Sequence, residues 1–181
     1  MDFLELAEKR YSLRNFSNKK VEREKIEKCI QASHLSPSAC NSQPWRFIII
    51  DDKEIKNKLC EKGLGILVPN TFAKDAPCII VVCADLSFMV HTVAAKTAGV
   101  NYYMLDIGAS IENFLLEAAD LGLGACWMGW FREKAIKKLL GIPKSLKIVS
   151  LIALGYSNAE TDDIPLKNRK PLNEIFSYNK F

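Results

Sequence analysis

Four short stretches of this chain carry side chains that could do chemistry. The densest is Ser36-Pro37-Ser38-Ala39-Cys40-Asn41-Ser42-Gln43-Pro44-Trp45, which crowds hydroxyls and primary amides ahead of the apolar run Phe47-Ile48-Ile49-Ile50. Ser38, Asn41 and Gln43 can each both donate and accept hydrogen bonds, so the stretch reads either as the wall of a polar binding site or as an ordinary polar connection. Upstream, Arg10-Tyr11-Ser12-Leu13-Arg14 sets two guanidinium groups four residues apart with a hydroxyl between them. Guanidinium groups bind phosphate oxygens through paired, charge-assisted bonds; the segment fits a phosphate site, and it also fits a solvated helix end. Lys167-Asn168-Arg169-Lys170 is a solvated basic tail or the completion of that phosphate site.

The fourth stretch, Gly122-Leu123-Gly124-Ala125-Cys126-Trp127-Met128-Gly129, has glycines at two of the three positions of a dinucleotide-binding loop, but the third falls on Trp127. These glycines also follow a helical pattern instead of opening one, which disfavours that reading; Gly124 and Gly129 mark turns or a backbone lying close to another surface. With His34 and His91 the only histidines, no Ser-His-Asp or Cys-His constellation can be assembled. The six cysteines form no CxxC pair, which argues against a zinc or iron–sulfur centre. A chain without an evident nucleophile or acid–base pair, yet rich in amides, hydroxyls and cations, fits chemistry done by a bound cofactor. A flavin suits the pattern: its pyrimidine edge alternates carbonyls with nitrogens, and its ribityl chain carries hydroxyls.

The elements that must position these groups follow from periodicity. Residues 2–10 and 21–35 read as amphipathic helices, the second with Ile26, Cys29, Ile30 and Ser33 on one stripe. Arg46–Ile50 reads as a strand preceded by Trp45 in the core, and Asp51-Asp52 can cap a short helix over 53–61. Residues 63–77 look irregular, 78–83 form a fully apolar strand, and 86–101 fit a helix or part of a lid. Tyr102–Leu121 is a long helix, apolar around most of its circumference, which calls for burial on all sides, part of it against a second subunit. Ala125–Gly129 and Ile148–Leu154 are further strands, with a helix over Arg132–Leu140 between them. Helices and strands intersperse without a βαβ rhythm, which points to an α+β domain and away from a doubly wound sheet.

A chain of 181 residues fits a single domain, 1–181, with a substantial core, and 49% hydrophobic with 25% charged residues is the make-up of a soluble globular protein. The net charge of +4 comes without long blocks of one sign, so nucleic acid and membrane surfaces find little support as partners. No apolar signal segment opens the chain and the apolar runs are strand-length. Thiols set in apolar runs, such as Cys78 and Cys83, fit a reducing cytoplasm.

Taken in order, Arg10–Phe16, Ser36–Trp45, Asp106–Leu121 with Gly122–Gly129, Ala153-Leu154-Gly155-Tyr156 and Lys167-Asn168-Arg169-Lys170-Pro171-Leu172 resemble the FMN-dependent nitroreductase family over nearly the whole chain. The resemblance implies a nitroreductase-like α+β fold, with a mixed or antiparallel central sheet flanked by helices. It also implies an obligate homodimer with a long buried interface helix and two FMN sites between the subunits. It assigns Arg10, Tyr11, Ser12 and Arg14 to the phosphate and part of the ring, although Tyr11 stands where the family often has a basic residue. It sends Pro37, Ser38, Ala39 and Asn41, with Gln43 beside them, to the FMN of the other subunit. Trp127, Met128 and Gly129 would pass near flavin N5, and Lys167 and Arg169 would complete the phosphate site. The implied reaction is ping-pong: NAD(P)H delivers hydride to N5 and a nitroaromatic, quinone or related oxidant removes it, with Arg14 at the N1–C2=O edge steadying the anionic reduced ring and no catalytic side chain required. A flavin-binding or sensing protein without turnover, and reductive dehalogenation on the same fold, are the alternatives.

Overall fold

The computed structural model describes residues 2–64, 70–87, 99–158 and 166–180. Nine regular elements occur among them: α1 (Phe3–Lys9), α2 (Arg23–His34), β1 (Trp45–Ile50), α3 (Lys53–Leu59), β2 (Cys78–Asp85), α4 (Tyr102–Asp120), β3 (Gly124–Met128), α5 (Glu133–Leu140) and β4 (Leu146–Gly155). The four strands form one antiparallel sheet in the order β1-β2-β4-β3.

The sheet is central because its inner strands are apolar on both faces. Along β2, Ile79, Val81 and Cys83 face one helical layer, while Cys78, Ile80, Val82 and Ala84 face the other. On the first side Leu59 of α3 and Ile136 of α5 close a core that also takes in Leu13 and Phe16. On the second side α2 contributes Ile26 and Cys29, and α4 contributes Ile107, Ile111, Phe114, Leu115 and Ala118. The result is three layers, helix–sheet–helix, with the polar segments singled out above at the margins of α4 and β3.

Local signals place most boundaries. Asp52 caps α3 by accepting the Ile55 N–H at 2.9 Å, Gly122 leaves α4 at φ 74° and Gly141 ends α5 at φ 66°, as left-handed helix exits favour. Three features differ from the sequence expectation. The chain continues α3 into a π-turn over Cys60–Leu64 and adds a 3₁₀ turn over Thr71–Lys74 in the stretch read as irregular. Strand β4 extends to Leu146 and Gly155, because Lys147 and Leu146 still find register partners in Ala84 and Asp85 beyond a bulge at Val82/Cys83. Helix α1 stops at Lys9, and the chain from Arg10 runs extended along the outer edge of β3: Ser12 pairs with Ala125, Phe16 with Ser157, and the Leu13 N–H donates to the Ala125 carbonyl at 3.1 Å. The candidate lid over 86–101 lies mostly outside the described residues.

That edge cover needs glycine. A Cβ at Gly155 would stand 2.5 Å from Pro77 Cδ and 2.9 Å from Phe16 Cδ1, and a proline ring cannot turn aside. Gly155→Ala should therefore cost about 1–3 kcal/mol, the usual range for overpacking, read as a lower urea midpoint at unchanged m-value; an unaltered midpoint would show that the 12–16 edge is not packed as described.

Candidate functional site

The basic residues gather at one corner. Asp2 caps α1, with its carboxylate receiving the Phe3 N–H at 2.8 Å and its own N–H reaching Glu5 at 3.0 Å. The helix thus delivers Arg10 to its C-terminal end, beside α4. There the Arg10 guanidinium meets Glu112 of α4 at 3.3 Å, while its Nε is buried without a partner. Lys167 donates to the carbonyl of Ala7 in the same helix. Burial, then the positive charges of Arg10 and Arg169, push the Lys167 amine below its ordinary value, against a weaker upward pull from Glu112 and Glu8. Burial is thus the larger cause, and Arg10 and Arg169 lie close enough to add to it. A cleft of about 340 Å³ opens beside Arg10, lined also by Tyr11, Leu115, Ala119 and Gly124.

Arg14 is not part of that corner. In extended chain the rise is about 3.3 Å per residue, so four residues place Arg14 roughly 13 Å along the β3 edge from Arg10. It donates to the Ser12 carbonyl at 3.4 Å and stands 5.8 Å from the Phe72 ring. It also opposes the burial that raises the Cys126 thiol in β3. Ser12 between them is exposed. A helical spacing would have stacked the two arginines; the extended course gives each its own end of the segment.

The end of α2 and the Ser36–Gln43 loop that follows it are fastened to α4 by three polar ties. Ser33 and Ser110 exchange hydroxyl-to-carbonyl bonds of 3.0 and 3.2 Å, Asn113 donates to Ser36 Oγ at 2.7 Å, and the Ala39 N–H donates to Asp106 Oδ1 at 2.9 Å. Within the loop Ser38 Oγ accepts the Gln43 N–H at 3.0 Å and the Gln43 amide donates to Asn41 Oδ1 at 3.1 Å. Cys40, Asn41 and Gln43 lie at φ 52°, 51° and 44°, a left-handed region that L side chains adopt at a cost of order 1 kcal/mol or more each and that clusters at functional sites. Pro37 is exposed at the loop's start, and Trp45 is buried as expected.

The end of β3 completes the inventory. Met128 is buried in the core, so only its backbone remains to meet a ligand. Trp127 is 43% exposed and lies against α4 at Gly108, where an added Cβ would stand 3.9 Å from the indole. Gly129 has nothing within 4 Å of where a Cβ would sit. The following Trp130 is 70% exposed and its carbonyl is held by the Asn70 side chain at 3.2 Å.

Within the chain these pieces lie on different faces of α4. Asp106, under the loop, and Glu112, under Arg10, are six residues apart on α4: about 9 Å along the axis and, at about 100° per residue, on faces roughly 120° apart. The sequence reading also leaves out four residues that the structure ties to the site: Glu112, Asp106, Asn70 and Phe72. Of these Asp106 has a signal: Asp106, Ser110 and Asn113 follow the i, i+4, i+7 stripe of one helix face beside the apolar one. Glu112 stands outside that stripe. Asn70 and Phe72 have none, since their turn pairs with its site only through the tertiary fold.

A sequence model described as the nitroreductase family matches residues 7–68 and 61–156. A protein of Archaeoglobus fulgidus named NADH dehydrogenase/NAD(P)H nitroreductase is 37% identical over 164 residues, covering 88% of this chain and 87% of that protein. Human iodotyrosine deiodinase 1 is 27% identical, covering 96% of this chain and 67% of its own length. Among solved structures, the FMN-dependent nitroreductase of Clostridium difficile R20291 superposes with a TM-score of 0.78 at 28% identity, covering 99% of this chain and 100% of that one.

The cation corner is testable by itself. With its amine pushed down, Lys167 holds fewer protons in the folded than in the unfolded chain between its lowered value and 10.5, so stability attributable to it rises with pH across that window. A bound dianion reverses the repulsion and returns the proton. Inorganic phosphate should therefore raise the thermal midpoint of the ligand-free protein, by less as pH climbs into that window, and Lys167→Met should remove most of the shift; a phosphate effect independent of both pH and Lys167 would refute the anion site.

Proposed function

The chain belongs to the nitroreductase family, and from that premise we propose that it is an NAD(P)H-dependent FMN oxidoreductase acting on nitroaromatics, quinones or related small oxidants, as a homodimer. The observation that carries the proposal is the corner where Arg10, its Nε buried without a partner, lines a cleft of about 340 Å³ while Lys167 is tied to Ala7 of the same helix. Such a donor set fits a phosphate monoester, and the cleft next to it leaves room for the rest of a mononucleotide. Arg10 supplies the fork geometry for phosphate oxygens, and Lys167, fixed by its bond to Ala7, supplies a point charge.

Other residues take their roles from position. Tyr11 and Ser12 lie on the extended segment between the phosphate corner and Arg14, so that segment is the natural track for the rest of the cofactor. Arg14, away from the phosphate corner, is the cation for the ring's N1–C2=O edge, where negative charge grows on reduction. The backbone of Trp127, Met128 and Gly129 borders the ring on the β3 side, and the bare backbone at Gly129 permits close approach. Ser38, Asn41 and Gln43, on another face of α4, serve the cofactor of the neighbouring subunit together with Pro37 and Ala39. Exposed apolar residues on α1 (Phe3, Leu4), α4 (Met104, Leu105) and the tail (Leu172, Ile175, Phe176) support the dimer, since a monomer rarely leaves so many in water. Bound FMN supplies a two-electron carrier that accepts hydride from NAD(P)H and passes it to the oxidant. All six cysteines are free and five are buried, which suits a reducing cytoplasm.

A second reading is reductive dehalogenation, favoured by the likeness to a protein named iodotyrosine deiodinase 1. Anaerobic mixing decides among the readings: rapid bleaching of the yellow flavin by NADH or NADPH identifies an enzyme, none a passive binder, and the oxidant that restores the colour, a nitroarene and quinone or an iodotyrosine, identifies the reaction.

The two arginines should separate. Arg10→Ala removes a charge-assisted phosphate contact worth about 1.5–3 kcal/mol, so FMN should bind about ten- to a hundredfold more weakly with the potential of the remaining bound flavin little changed. Arg14→Ala should lower that potential and slow reduction while FMN is largely retained. Equal effects of both variants on retention alone would refute the assignment of the two residues to different ends of the cofactor.

A further inference from the structure

Asp106 is the only buried acidic residue among those described, and the proposed chemistry gives it no task. It sits in the second turn of α4, beneath the Ser36–Gln43 loop. Its Oδ1 receives the Ala39 N–H at 2.9 Å; its Oδ2 is buried with no partner. The neighbouring ties between loop and helix, Ser33 with Ser110 and Ser36 with Asn113, use only hydroxyls, amides and carbonyls. A neutral side chain could make a simple tie at position 106 as well. A carboxylate makes a stronger acceptor, but leaving half of it unsatisfied in the interior burdens the folded state.

What lies beside this bond explains the stronger acceptor. The residue after Ala39 begins the left-handed run: Cys40, then Asn41, then Gln43. Backbone in that region relaxes to ordinary conformations unless its surroundings hold it. The Ala39 N–H is the loop's anchor to the helix just before the first strained residue, and Ser38 Oγ closes the run on the Gln43 N–H at the other end. We infer that Asp106 is a positioning residue: by fixing the Ala39 N–H it holds Cys40, Asn41 and Gln43 in the left-handed conformation that presents Ser38, Asn41 and Gln43 to the cofactor, at a cost in stability of the cofactor-free chain. The inference rests on the proposed FMN site, and it adds that the loop's shape is imposed from α4 and exists before the cofactor arrives.

The experiment measures two quantities on the same purified full-length proteins: the FMN dissociation constant, from quenching of flavin fluorescence, and the thermal midpoint of the FMN-free protein. Asp106→Ala should weaken FMN binding at least tenfold while the midpoint stays level or rises, because a half-satisfied carboxylate has gone. Asp106→Asn, which retains an acceptor but a weaker, uncharged one, should fall between the parent and Asp106→Ala. Cys40→Gly in the Asp106→Ala background should recover much of the loss, since glycine adopts the left-handed region without strain. Unchanged affinity in Asp106→Ala overturns the inference, as does a midpoint that falls in step with the affinity, which would mark a merely structural tie. Ser38→Ala and Asn41→Ala separate the two failures. If they weaken FMN binding and Asp106→Ala does not, the positioning role alone is wrong; if none of the three has an effect, the loop is not a wall of the FMN site.

Discussion

Helix α4 has to bury one apolar face against β2 and β4 and still hold everything else that touches it in place. Ile107, Ile111, Phe114 and Ala118 are fully buried against the sheet, and removing a side chain the size of Phe114 from such a position typically costs about 3–5 kcal/mol, a large share of the stability of any domain. This packing fixes the rotation of the helix about its axis. Once that rotation is set, the remaining faces are no longer free to choose their neighbours: Asp106, Ser110 and Asn113 must meet the α2 end and its loop, and Glu112 must meet Arg10. The polar geometry of the site is thus a consequence of an apolar seam on the far side of the same helix.

The second constraint is the occupied edge of β3. An unpaired edge strand would expose a row of N–H and C=O groups. Here the extended Arg10–Phe16 segment covers it, with Leu13 and Phe16 turned into the core and Ser12 and Arg14 outward. Ser12, Leu13 and Arg14 alternate out, in and out as in a strand; Phe16 departs from that alternation and turns inward at its own bridge to Ser157. The same pairing that protects the sheet lays a hydroxyl and a guanidinium along its rim, so protection of an edge and construction of a binding track are one event.

Much of the fold is legible in the sequence because its signals are local. The uninterrupted apolar run Cys78–Cys83 marks a strand buried on both faces, Asp52 and Gly141 mark a helix start and stop, and the missing βαβ rhythm excludes a doubly wound sheet. What escapes is decided at a distance. Arg10 and Arg14 have the same spacing in a helix and in a strand, and only the pairing of Ser12 with Ala125 selects the strand. The π-turn at Cys60–Leu64 sets Gly63 where a Cβ would stand 2.7 Å from Ile136 Cγ1, over seventy residues away. Of the site, the types of residue are legible and their grouping is not: nothing in Lys167-Asn168-Arg169 says that it returns to the first helix.

The cation corner and the amide-rich loop are held on faces of α4 roughly 120° apart, and the seam against the sheet prevents the helix from turning to bring them together. On the proposed reading, a cofactor that uses both draws one of them from elsewhere. A second copy of the chain is the economical source, because it carries the same loop and because Met104 and Leu105, near the loop's end of α4, are apolar and exposed. Under the proposed function, dimerisation is then a requirement for binding the cofactor as well as a means of covering apolar surface. The strained loop makes sense in that arrangement: a wall offered to another subunit's ligand cannot rely on its own chain's ligand to shape it, and so must be shaped in advance by the helix behind it.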